Sequence, residues 1–145
     1  MRGRSSKRMQ LTRIPLGRST VMLKWKTKIV EQLDGGPIVR VEFFNATGDS
    51  GSAPIREAIN SVLDKYCPAA LVLDFSRSKY EGGDGIFGVV PSHRKPACVM
   101  AQGPCKHYVE HTLTVSGLIG LLGGRLFESE MSAVEYLKTR LTHSG

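Results

Sequence analysis

Gly83-Asp84-Gly85-Ile86-Phe87-Gly88 matches the pattern G-x-G-x-x-G. In a dinucleotide fold such glycines let backbone amides at a helix start approach a pyrophosphate. The context argues against that chemistry here. The fingerprint should follow its strand directly, yet Gly83 comes eight residues after Phe75. It also calls for an acid about 20 residues onward, where Gln102 and Gly103 stand. The plainer reading is that these glycines shape a strand-to-helix turn.

A second group is Cys105, His107 and His111. The histidines are four apart, so they share a face of any helix there and could hold a metal. No Glu follows the first His, so this is not H-E-x-x-H, and a further ligand would have to come from elsewhere. A polar helix face is the simpler account. Cys105 near a helix N-terminus would have a lowered thiol pKa, but no orienting partner for a nucleophile is evident. Neither G-x-S-x-G nor a Walker lysine pattern is present.

The third group is the polar, Gly-rich loop Ser76 to Asp84, which comes after an apolar run. Functional loops gather at the carboxyl ends of strands in open α/β sheets, so the site is expected here.

The elements that must position these residues are read from periodicity. Residues 25–34 and 37–44 read as strands around the turn Asp34-Gly35-Gly36-Pro37. Alternation places Val39, Val41 and Phe43 on one face. Ala53 to Lys65 carries Ile55, Ala58, Ile59, Val62 and Leu63, an amphipathic helix stripe opened by Pro54. Ala69 to Phe75 is a continuous apolar run, as in a strand covered on both faces, and Ala97 to Ala101 is similar. Gly103-Pro104 opens a helix through about Leu113. Leu122 to Phe127 reads as a last strand. Ser129 then caps a final helix with Val134, Leu137 and Leu141 on one face. The order β-β-α-β-(short α)-β-α-β-α implies an α/β sandwich with a mixed, mostly parallel sheet of about five strands flanked by helices.

The chain has 145 residues, one domain's worth, and a net charge of +7. That charge is unevenly distributed. Residues 1–28 hold nine basic residues and no acid, leaving 11 basic and 13 acidic for the remaining 117 residues, a net of −2. Residues 1–24 read as a disordered basic tail, with residues 25–145 as the domain. The tail is a solvated terminus, an upstream extension, a transit peptide, or a basic arm for nucleic acid or anionic lipid. Nucleic acid is not expected as a partner except through this tail. The apolar share of 41% supports a packed core. No apolar run is long enough to span a membrane. Three widely spread cysteines, Cys67, Cys98 and Cys105, fit a reducing compartment.

Leu71 to Ile86 (LVLDFSRSKYEGGDGI) resembles the signature of STAS domains, the sulfate transporter and anti-sigma factor antagonist fold. That pattern is an apolar strand, an Asp, a short loop, and Asp-Ser-Ser/Thr-Gly opening a helix. Asp74 meets the strand Asp. Tyr80 meets an apolar loop residue, and Gly82, Gly83, Asp84 and Gly85 meet the four motif positions. Gly51 to Leu63 is similar to the family's first helix, Thr114 to Leu118 to the close of its third, and Leu126 to Leu137 to its last strand and helix. The likeness covers about residues 26–141. It departs at Gly83, where family kinases phosphorylate a serine, and at Gly88 to Pro96, where Pro91 and Pro96 break the usual second helix.

The resemblance implies a cytoplasmic, bacterial regulatory domain, not an enzyme and without a cofactor or metal. It would dock a protein partner, an anti-sigma factor, kinase-like protein or other regulator, through Ser76, Ser78, Tyr80, Gly82, Gly83, Asp84, Gly85 and Ile86. It could also pair as a homodimer. In the family's antagonists a phosphate at the motif blocks docking by charge and bulk. Here either docking is constitutive, or Asp84 partly mimics the phosphorylated form. Two other classes compete: a small-ligand binder taking a nucleotide or acyl group on the Gly-rich turn, and an enzyme remnant of acyl-CoA hydratase type, for which the chain is short.

Overall fold

The computed structural model describes residues 10–16, 19–44, 53–78, 85–89 and 95–144. Strands β2 (Ser19–Leu33) and β3 (Gly36–Phe44) form the expected antiparallel hairpin. The turn admits only glycine at position 36. Its φ is +127°, and a Cβ there would lie 2.7 Å from the carbonyl oxygen of Cys67. Helix α1 (Ala53–Tyr66) crosses from β3 to β4 (Ala70–Asp74), which pairs parallel to β3. Strand β5 (Ala97–Met100) adds in parallel to β4. Together β2 to β5 make a four-stranded mixed sheet. Strand β1 (Gln10–Leu16) pairs antiparallel with the outer part of β2, giving the order β1-β2-β3-β4-β5.

The period-two and helical patterns have a direct outcome in two cores, one on each sheet face. Val39, Val41 and Phe43 pack with Leu71, Leu73 and Phe75 against the α1 stripe Ile55, Ala58, Ile59, Val62 and Leu63. Phe43 and Phe75 stack at 4.9 Å between ring centroids. Val109 and Leu113 of α2 (Cys105–Ser116) close the same side. On the other face, Ile38, Ala70, Val72 and Cys98 meet Ala133, Val134 and Leu137 of α3 (Glu130–Ser144). Covered on both sides, β4 is buried throughout, as its unbroken apolar run requires. The Ser129 hydroxyl accepts the Ser132 N–H at 3.2 Å and caps α3. No helix among the described residues is long and apolar enough to cross a membrane.

Two expectations are corrected. Leu122 to Phe127 is not a strand. Leu118–Leu122 is a short 3-10 helix, and only Phe127 bridges to Met100. Gly123 and Gly124, at φ +104° and +78°, sit in the left-handed region and interrupt any extended run. The expected tail, residues 1–24, also extends too far. Its residues 10–16 and 19–24 are paired in β1 and β2, and Trp25 at the boundary is 6% exposed within the first core. Residues 1–9 lie outside the described residues.

Candidate functional site

Asp74 is the last residue of β4 and is fully buried. A buried carboxylate is costly unless it is paired and hydrogen-bonded. Strand register supplies the pairing: Glu42 lies directly opposite Asp74, and Arg40 shares the same face two residues earlier. Arg40 donates from Nε at 3.0 Å and from Nη2 at 2.6 Å to Asp74 Oδ2. The Ser76 N–H donates to Oδ1 at 2.8 Å. Arg40 also donates from Nη1 to Glu130 Oε1 at 2.6 Å, in the first turn of α3, and lies 3.5 Å from Glu42. Arg77 pairs with Glu42 at 3.3 Å, and Lys28 with Glu130 at 3.6 Å. Burial disfavours the Arg40 charge, but the hydrogen bonds to Asp74 and Glu130 outweigh it and hold the guanidinium above its ordinary pKa. The cluster therefore clamps β3, β4 and α3 together and fixes where the loop after β4 begins.

The residues expected to form the site divide by environment. The Ser78 hydroxyl donates to the Phe43 carbonyl at 2.9 Å and is buried, so it ties the loop to β3. The Ser76 hydroxyl oxygen is also buried and has no hydrogen-bond partner among the described residues. Gly85 opens a 3-10 helix, Gly85–Val89, in which Ile86 is fully buried. Its neighbour Phe87 is 40% exposed. Tyr80, Gly82, Gly83 and Asp84 lie outside the described residues. The G-x-G-x-x-G reading requires a full helix after the glycines; the described residues there, Gly85–Val89, form a five-residue 3-10 helix.

Cys105 does not join His107 and His111. Its thiol is buried and donates to the Phe75 carbonyl at 3.1 Å, while both histidines lie exposed and stack at 6.4 Å. No group of three metal-ligating side chains forms among the described residues. The expected lowering of the Cys105 pKa is reversed. Burial pushes it up, and the nearby Asp74 charge adds to that.

The sequence reading missed Arg40, Glu42 and Glu130. Their signal was the polar half of the β3 alternation. Arg40 and Glu42 point to the face that a doubly covered neighbouring strand must share, so a buried partner such as Asp74 was to be sought there. In comparisons with known proteins, no family model and no curated protein matches this chain.

Proposed function

We propose that this is a STAS-like regulatory domain, similar to the anti-sigma factor antagonists, that acts by docking a protein partner beside the carboxyl end of β4. The α/β order, with Asp74 ending β4 and a short helix after the loop, is compatible with that fold. The observation that carries the reading is Phe87. It presents an aromatic ring at 40% exposure from a turn whose neighbours Ile86 and Val89 are fully buried. A large apolar side chain on a fixed turn is what a docking anchor requires. Tyr108 of α2, at 44% exposure, offers a second exposed ring.

The usual serine switch is absent from this reading, because Gly83 stands at the acceptor position. Docking is then constitutive, since the single charge of Asp84 is less than a phosphate's, about −2. Partners captured on the purified chain would be identified, reconstituted and titrated by calorimetry. Phe87→Ala should weaken the reconstituted complex by about tenfold or more. Asp84→Ala should leave it nearly unchanged; a large gain in affinity would instead make Asp84 a phosphate mimic. A partner indifferent to Phe87→Ala rejects this surface.

A second reading has its own observation. A groove of about 470 Å³ lies between the β2–β3 turn and the end of α3, lined by Leu33, Ala69, Lys138 and Leu141 among others. Its size suits a small ligand. A saturable thermal shift with a nucleotide or coenzyme A would favour this reading over protein docking.

A further inference from the structure

The basic residues that the sequence assigned to a tail belong in part to an ordered element. β1 pairs with β2 from Leu16↔Ser19 to Gln10↔Trp25, whereas β3 meets β2 only from Lys24↔Phe44 to Leu33↔Gly36. The two ladders barely overlap. A two-stranded antiparallel ribbon therefore continues β2 past the end of β3. Within the paired positions of this ribbon the charged residues are Arg13 and Lys24, both basic.

At the base of the ribbon, Lys24, Lys26 and Lys28 take alternate positions on β2, so they share one sheet face at intervals of about 7 Å. All three are exposed. Lys24 and Lys26 make no ion pair with any described residue, and Lys28 has only the 3.6 Å contact to Glu130. Three acids stand nearby: Asp74, Glu130 and Glu42 converge on Arg40, and Arg77 adds a second cation beside Glu42. A cavity of about 220 Å³ lies between Lys26, Thr27, Lys28, Arg40 and Glu42.

We propose that the β1–β2 ribbon and this lysine row bind the phosphate backbone of duplex DNA without sequence preference. The major groove admits a two-stranded β-ribbon, and phosphate contacts from lysine supply non-specific affinity. Single strands call for exposed aromatic rings on which bases stack; Trp25, between the lysines, is buried in the core. A bilayer calls for a continuous apolar face among the basic side chains; across the ladder from the lysine row stand Phe44, Glu42 and Arg40, two of them charged.

The test is fluorescence anisotropy of a labelled duplex of about 20 base pairs with the full chain, between about 50 and 200 mM salt. The expected result is binding with a dissociation constant of roughly 1–100 µM near physiological salt and tighter at the lowest salt, the affinity falling linearly on logarithmic axes as salt rises. Replacing Lys24, Lys26 and Lys28 together by Ala should lower the steepness of that line by about 2.7, or 0.9 for each lost phosphate contact, and weaken binding about tenfold or more. The triple Lys→Arg variant should keep the parent slope, and circular dichroism confirms the fold of both. The proposal is overturned if the parent shows no salt-dependent binding. It is equally overturned if the Ala variant keeps the parent slope, which would assign binding to residues outside the row. Binding to phosphatidylserine vesicles at concentrations that leave the duplex free also overturns it.

Discussion

Asp74 and Arg40 illustrate how one buried charge organises its surroundings. Removing one partner of such a pair costs far more than the pair contributes, because the other charge stays buried and uncompensated. Arg40→Met should therefore lower stability by about 3–5 kcal/mol in urea titrations, and adding Asp74→Leu should recover part of that loss. A loss under about 1 kcal/mol would mean that Asp74 is solvated. The thiols make a second test. Burial pushes Cys98 up to about 12 from 9.0 and raises Cys105, whereas Cys67 is exposed. At about pH 8 a thiol reagent should modify Cys67 quickly and the other two only on unfolding. The raised pKa also has a sign for stability. Unfolded Cys98 ionises above about pH 9 while the folded thiol does not. Its contribution is complete below that pH and lost as pH climbs to about 12, by roughly 1.4 kcal/mol per unit. Cys98→Ala should flatten that part of the stability curve; an unchanged slope would refute the assignment.

Glycines and a bulge decide how the elements meet. Gly36→Ala forces a Cβ onto the Cys67 carbonyl at a φ unfavourable to alanine and should cost roughly 2 kcal/mol or more. Gly35→Ala next to it meets nothing within 4 Å and should leave the melting temperature nearly unchanged. Helix α1 and strand β4 were legible in the sequence because each element's burial is written in its own period: one stripe for α1, none for β4. β2 was harder. Its register shifts between Ile29 and Glu31, so Lys28 and Glu31 lie opposite Arg40 and Ile38 on one face despite their odd separation. Beyond that bulge Glu31 reaches Lys138 of α3 at 3.5 Å, a pairing that strict alternation would not give. Residues 1–24 read as a tail because they mix Arg, Ser, Gly and Lys with no clear helical or strand period. A ribbon of this kind is held by backbone pairing, which composition does not report.

The ribbon and the body join through Trp25, which lies in the core shared by α1 and the sheet. A chain beginning at Ile29 loses that ring together with the Lys24–Lys28 pairing to β3. It should lack a cooperative thermal transition by circular dichroism, and Trp25→Ala in the full chain should cost about 3–5 kcal/mol. A stable truncated domain would show that neither the ribbon nor Trp25 is needed to hold the fold. The sequence by itself determined the α/β class, the two-sided burial of β4, the faces of β3 and α1, and the cap of α3. Each depends on residues within a few positions of one another, where period and capping chemistry act. Only the tertiary structure decided that Asp74, Arg40 and Glu130, separated by 34 and 90 residues along the chain from Arg40, form one cluster. It alone buried Cys105 and gathered the exposed lysines beside a ribbon. Those outcomes come from strand register and helix docking, which bring distant positions onto a shared face.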